Sequence, residues 1–420
     1  MKRRIIYLLL LLFTIGCSTH PSKKWDFQSF YKPEENPVLI ADSSFTFVDP
    51  VKNEPVKWQK ADVFNPAAIV KDNKVCLLYR SEDNPAAFLG GRTSRIGLAY
   101  SEDGIHFTKY PTPVLYPDSS KFMQYDYPGG CEDPRIIETE DSLFVLAYTS
   151  WNYKVARLSI AVSRDLIHWE KKGPVLELGK KNEPDSRSAS YGTTYFDGNK
   201  WHMFYLGTPN VTPAPDFIPS FPYLNMKAES GSPFGPWIKK REIVPFAPKE
   251  GTFYSSTASP GFIVKNNGEF MMFFSAADYT IKRTICIART RNLDTPWKID
   301  SLPIVPPEEQ IENSSLYFEQ SNQTWFLFTN HIGIDDDGEY TDAVWVYWSQ
   351  DLNRWNPDNK AVVLDRENCK WSHRCIGLPS VIKYKNRLAV LYDAPGDNSI
   401  SHMKRSLGLA FMNLPLNPPR

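Results

Sequence analysis

The feature that most constrains how this chain can fold is a repeat of about 60 residues, the length that four strands of five to six residues and their turns require. The first unit starts at Asn65-Pro66-Ala67-Ala68-Ile69-Val70, continues through residues 75–80 and 96–100 to the turn Ser101-Glu102-Asp103-Gly104, and closes past Phe107 at Pro113-Val114-Leu115. The second unit has the same order: residues 133–137, 143–148 and 157–162, then Ser163-Arg164-Asp165, Trp169 and Pro174-Val175-Leu176. Further units open near Tyr191, Ala258, Ser314 and Gly377, with Trp237, Trp297 and Trp355 in the place of Trp169. Four-stranded units repeated radially are the blades of a β-propeller, so an all-β fold with six blades in one domain over residues 34–420 is expected. The sixth unit lacks a closing Pro-Val-Leu strand, whereas Asn36-Pro37-Val38-Leu39 is an orphan copy of one. The N-terminal strand is therefore expected to close the last blade and hide two sheet edges that invite association.

Lys plus Arg equals Asp plus Glu at 48 each, so the chain carries no electrostatic footprint for nucleic acid or an anionic membrane surface, and a neutral ligand is expected. Residues 1–16 read as a signal peptide: Lys2, Arg3 and Arg4 precede an apolar segment too short to span a bilayer. Gly16-Cys17-Ser18 resembles a bacterial lipobox, which implies lipidation of Cys17, residues 17–33 as a tether, and a place in the bacterial cell envelope, at the periplasmic face or outer-membrane surface. The remaining five cysteines have no metal-ligand spacing, and Cys369 and Cys375 read either as a pair or as two buried thiols. No glycine-rich phosphate loop is present, His373 and His402 have no companions at ligand spacing, and no cofactor or metal is expected.

In a propeller the inner strands of all blades start around one central depression, so unit openings converge although they lie far apart in sequence. These openings offer Asn65, Glu132 with Asp133, Tyr191, Ser259, Glu312 with Asn313, and Gly377, with Glu250 just upstream of the fourth. In Gly129-Gly130-Cys131-Glu132-Asp133-Pro134-Arg135, strand alternation lets only one of the two acids point inward, and Asp133 is the one expected to do so. Pro134 is expected to hold Asp133 extended, and Arg135 to supply a guanidinium partner. Insertions at residues 82–92, 118–128, 208–222 and 333–340 are of the kind that carries function on a rigid scaffold. Paired carboxylates around a neutral cup rich in aromatic residues suit glycoside chemistry, in which one acid protonates the leaving oxygen and a second group activates water.

Asn65-Pro66-Ala67-Ala68, Leu78-Tyr79-Arg80, Ser94-Arg95-Ile96-Gly97-Leu98-Ala99, Ser101-Glu102-Asp103-Gly104 and Gly130-Cys131-Glu132-Asp133-Pro134-Arg135-Ile136 together resemble glycoside hydrolase family 130, over residues 60–175. The resemblance implies a five-bladed propeller acting on β-mannosides, as a phosphorylase or as a β-1,2-mannosidase. It implies Asp133 as general acid, delivering its proton through a sugar hydroxyl, and Asn65, Arg80 and Arg95 as lining for the subsite of the sugar whose bond is cut. Glu132, Arg135, Arg157 and Asp393 complete the expected substrate contacts. Phosphorylases of the family bind phosphate with a His-Arg pair at the end of the third unit's second strand. Here that strand reads Trp201-His202-Met203-Phe204-Tyr205-Leu206-Gly207, which makes water the expected acceptor. Glu250 and Glu312 are the candidate bases, with Glu229 and Asp393 behind them. The leading expectation is an inverting hydrolase of β-1,2-linked manno-oligosaccharides. A β-mannoside phosphorylase, a propeller glycosidase of arabinosidase or galactosidase type, and a non-catalytic glycan-binding lipoprotein stay open beside it.

Overall fold

The computed structural model describes residues 30–87, 91–209, 224–335, 338–365, 370–373, 376–377, 379–399, 401 and 403–418, so the leader, Cys17, Cys369, Cys375 and His402 lie outside the described residues. Among the described residues, after a short hairpin of Phe47–Asp49 and Glu54–Val56, the strands group into six antiparallel blades in chain order, the first two joined by one parallel bridge between Ser94 and Gly130. Blade 1 comprises Asp62–Lys71, Lys74–Glu82, Ser94–Ser101 and Thr108–Lys109, and blade 2 comprises Gly130–Glu138, Phe144–Trp151, Ala156–Ser163 and Glu170–Pro174. Blade 3 is built from Ser188–Phe196, Trp201–Thr208, Leu224–Ser230 and Ile238–Lys239, and blade 4 from Thr257–Asn266, Glu269–Ala277, Arg283–Thr290 and Lys298–Ile299. Blade 5 holds Ile311–Glu319, Thr324–Asp335, Gly338–Ser349 and Lys360–Asp365, and blade 6 holds Ser380–Tyr384, Arg387–Pro395 and Arg405–Asn413. Among the described residues the blades number six, not the five that the family resemblance implies.

Each blade is covered on both faces, which explains why its second strand is an unbroken apolar run. Along Lys74–Glu82, Leu77 and Tyr79 pack against Ala389, Leu391 and Leu407 of blade 6, while Cys76 and Leu78 pack against Leu146 and Tyr148 of blade 2. Alternation thus divides one strand between two seams. Equivalent clusters fill the remaining seams round to blades 5 and 6, where Phe328, Val344 and Val346 meet Leu388, Val390 and Ala410. Cys76, Cys131 and Cys286 are buried free thiols within these cores.

The N-terminal segment completes blade 6 as expected. Leu39 bridges Leu407, and Tyr31 bridges Phe411, so the segment expected as a tether already joins the ring at Tyr31. Asn36 stands in for a strand residue with its side chain: its amide donates to Leu409 O at 2.8 Å and its oxygen accepts Leu409 N–H at 2.8 Å.

The turn after the third strand repeats in chemistry as well as in sequence. Asp103 accepts the backbone N–H groups of Ile105 and His106, and Asp165 those of Ile167 and His168. Local hydrogen bonds and the neighbouring imidazole outweigh desolvation and hold both carboxyls well below the usual range. The repeated tryptophan closes the same turn, Trp169 donating to Leu166 O at 2.8 Å and Trp355 to Leu352 O at 2.9 Å. These turns mark one end of the ring. The start of each inner strand, the end of the second strand and the start of the third share the other end, and the described parts of the four insertions fall there; residues 88–90, 210–222 and 336–337 lie outside the described residues.

Candidate active site

Five inner strands carry an extra residue near their start, with register shifts at Phe64/Ala67, Glu132/Arg135, Ser190/Gly192, Ser259/Phe262 and Glu312/Ser315. In blades 1, 2 and 5 this bulge turns on Asn65, Asp133 and Asn313, with φ of 47°, 51° and 57°. Asn and Asp are the non-glycine residues that enter this left-handed region most readily. Asp133 is therefore not extended, and the bulge, not Pro134 alone, sets its backbone. A bulge also breaks alternation. Glu132 and Asp133 consequently reach the same guanidinium, although a regular strand would send them to opposite faces.

That guanidinium is Arg80, from the end of the second strand of blade 1, and not Arg135, which is exposed. Arg80 Nη1 donates to Asp133 Oδ1 at 3.0 Å, and Nη2 donates to Glu132 Oε1 at 2.7 Å and to Glu82 Oε1 at 2.8 Å. Its Nε donates to Ser94 Oγ at 3.1 Å, and its plane lies over the Phe64 ring. Asn65 Nδ2 also donates to Asp133 Oδ1. Among the described residues both donors fall on Oδ1, and the Asp133 side chain is 41% exposed, against 13% for Glu132. Burial pushes the Glu132 carboxyl up to about 7, with Asp133 and Glu82 adding to the rise and Arg80 opposing it.

Blade 2 meets blade 1 closely here because of glycine. Ser94 N–H donates to Gly129 O at 2.8 Å, and Gly130, at φ 113°, passes so near that a Cβ would stand 2.0 Å from Ser94 O. Only glycine fits that approach.

Asn65 is anchored from the far end of the chain: its backbone N–H donates to Asp393 Oδ2 at 2.7 Å. Asp393 itself is 1% exposed and paired with Arg405, so it holds Asn65 and does not face the depression as a substrate contact or base. Arg95 is likewise wholly buried, with Nη2 on Asp49 Oδ2 at 2.6 Å and Nη1 on Asp83 Oδ2 at 2.9 Å, and it braces the rim without lining the subsite. Arg157 begins the third strand of blade 2 at this same end, and its Nη1 is buried with no hydrogen-bond partner among the described residues.

Of the candidate bases, Glu312 occupies in blade 5 the place Glu132 has in blade 2, and these blades stand opposite each other in the ring of six. Its Oε2 is 3.4 Å from Arg283 Nε. Glu250 is an exposed turn residue ahead of the inner strand of blade 4, and among the described residues the bonds that tie Asp133 to Asn65 and Arg80, and Arg80 to Glu82 and Glu132, do not include it. Glu229 is excluded by position. It lies near the opposite end, with His202 and Asp294, where Lys227 Nζ bonds Glu229 at 2.5 Å and Asp294, and Lys200 Nζ reaches Glu229 at 2.9 Å. These ammonium groups neutralise that cluster. A cavity of about 620 Å³ between Ile287, Asp300, Leu302, Asn353, Arg354 and Trp355, on blades 4 and 5, contains none of the site residues.

Asp62, Glu82, Arg92 and Arg405 belong to the site's support and are not among the residues expected from the sequence. Their signal was charge at the ends of apolar strands: Arg80 and Glu82, two apart, share one face of a strand that is otherwise buried and largely apolar.

Residues 31–201 match the family described as Glyco_hydro_130, beta-1,4-mannooligosaccharide phosphorylase. A 1,2-beta-oligomannan phosphorylase of Thermoanaerobacter sp. (strain X514) is 36% identical over 130 residues, 30% of this chain and 42% of that protein. A beta-1,2-mannobiose phosphorylase of the same organism is 31% identical over 179 residues, 40% of this chain and 54% of that protein. The chain spans about half the length of the curated relatives it matches. One solved structure is described by the statement that the GH130 family of mannoside phosphorylases contains glycoside hydrolases that target beta-1,2 mannosidic linkages in Candida mannan; it is 26% identical, with a TM-score of 0.54, covering 80% of this chain and 98% of that one. A glycosyl hydrolase from Bacteroides ovatus is similar at 26% identity and a TM-score of 0.52, over 80% and 97% of the two chains.

Proposed function

We propose, from the premise that residues 31–201 belong to glycoside hydrolase family 130, that this chain hydrolyses β-1,2-linked manno-oligosaccharides with inversion. The observation that carries the reading is the Glu132-Asp133 bulge, which fixes Asp133 through Oδ1 and leaves its side chain partly exposed to a sugar. Asp133 protonates the leaving oxygen, directly or through a sugar hydroxyl, and Glu312 on the opposite blade is the carboxylate offered to the attacking water. Water is favoured over phosphate because the guanidiniums nearest Asp133, Arg80 and Arg92, are already paired with Asp62, Glu82, Glu132 and Asp133.

The second reading is phosphorolysis, favoured by the names of the two curated relatives. Incubation with β-1,2-mannobiose, with and without inorganic phosphate, separates the two. Hydrolysis predicts release of α-mannose at a rate indifferent to phosphate, followed by NMR before mutarotation. Mannose 1-phosphate formed only with phosphate would establish phosphorolysis instead.

The basic and apolar leader ending at Cys17 adds a further reading, that a lipid on Cys17 holds the enzyme at the cell envelope. Cys17→Ala is then expected to move the protein from the membrane to the soluble fraction, and unchanged fractionation would reject the anchor.

A further inference from the structure

Behind Asp133 the paired charges do not end at Arg80. Arg92 Nη1 donates to Glu82 Oε2 at 2.9 Å and also to Asp62 Oδ2; Asp62 Oδ1 accepts Arg405 N–H at 2.5 Å; and Arg405 Nε donates to Asp393 Oδ1 at 2.7 Å. A continuous chain of groups therefore runs from blade 6 through blade 1 to Asp133, and behind the acid no side chain in it is more than 7% exposed. Five acids, Asp62, Glu82, Glu132, Asp133 and Asp393, share three guanidiniums, Arg80, Arg92 and Arg405. Breaking any one of the buried pairs leaves its partner's charge out of water and uncompensated.

Glu82 is the joint in this chain. Its Oε1 accepts from Arg80 Nη2 and from Ser94 Oγ, at 2.8 and 3.1 Å, while its Oε2 takes Arg92. Ser94 in turn bonds Glu132 Oε1 at 3.2 Å. Arg80 is thus gripped at Nε, Nη1 and Nη2, and its plane cannot rotate without breaking a bond to Glu82 or Ser94. We propose that Glu82 is a positioning residue for the reaction: it holds Arg80 in the orientation that binds Glu132 and Asp133 together, and its charge, balanced by Arg92, sets the field in which Asp133 releases its proton.

This inference rests on the reading of Asp133 as proton donor. The groups facing Asp133 are Arg80 and Asn65 from blade 1 and Glu132 from its own strand; those facing Glu82 are Arg80, Arg92 and Ser94, the acids Asp62, across from it on the inner strand, and Glu132, and the Tyr153 phenol. The test is the pH profile of kcat/KM on β-1,2-mannobiose. Glu82→Gln removes a negative charge behind the Arg80, Glu132 and Asp133 cluster, so the alkaline limb moves to lower pH by about one unit. Its kcat falls roughly tenfold with little change in KM, because Arg80 is released from one side. Arg92→Gln removes the balancing positive charge and moves the same limb to higher pH, and Arg92→Lys returns it. Opposite shifts are a result that loss of packing alone does not give. If one variant fails to fold by circular dichroism, the sign of the other's shift decides. Limbs that coincide with wild type in the folded variants overturn the role given to Glu82. A wild-type protein that turns over no β-mannoside overturns instead the functional reading beneath it.

Discussion

Asp133→Asn is expected to lower turnover of β-1,2-mannobiose by about 10²- to 10⁴-fold, the range lost with a positioned general acid, while KM changes little. The amide has the shape of the carboxyl and keeps an oxygen for Asn65 Nδ2 and Arg80 Nη1, so the bulge and its contacts are retained. What it lacks is a transferable proton. An aryl mannoside whose leaving group needs no protonation should therefore lose far less than the disaccharide. Wild-type kcat in a folded Asn variant would remove Asp133 from the reaction, and an equal loss on both substrates would give it a role other than proton donor.

The second large effect is expected at Arg80, and it falls first on stability. Arg80→Met fills a similar volume but leaves Glu82, Glu132 and Asp133 with one cation fewer, inside a seam where Arg80 is 6% exposed. Removing one partner of a buried ion pair typically costs about 3–5 kcal/mol, because the remaining charge stays desolvated. A lower denaturant midpoint is the measurement. Burial already pushes Glu132 up to about 7, and losing Arg80, which opposes that rise, pushes it further. The deficit should then grow as pH climbs through that range, since a carboxyl raised above its unfolded value of about 4.5 stabilises the fold below that value and withdraws the support as it ionises. A variant as stable as wild type at pH 8 would show that the acids find another partner.

The propeller was legible because its constraints are local and repeated. Leu77 and Leu78 belong to one strand yet to different seams, which forces an unbroken apolar run, and Trp169 and Trp355 recur because each closes its own turn. Asn36-Pro37-Val38-Leu39 could be assigned to blade 6 because a missing strand and an orphan one have the same pattern. The place of Glu132 and Asp133 followed from the repeat. Their orientation did not, because one inserted residue inverts the alternation beyond it and a bulge has no strong sequence signature. Proximity in sequence pointed to Arg135, whereas the partner is Arg80, 53 residues before Asp133. Arg95 and Asp393 stand close to the expected site but behind it, a matter of depth on which side-chain chemistry is silent.

The bond between Asn65 N–H and Asp393 spans 328 residues, and it has a temporal meaning as well as a spatial one. On the ribosome the first two blades, with the acid and its guanidinium, emerge long before the carboxylate that fixes Asn65 has been translated. Until blade 6 docks beside blade 1, the bulge that carries Asn65 lacks the Asp393 bond to its backbone N–H. The site is thus complete only once the last blade is in place: a chain that stops short of Asp393 carries the acidic residues of the site, yet lacks the carboxylate that holds the Asn65 backbone.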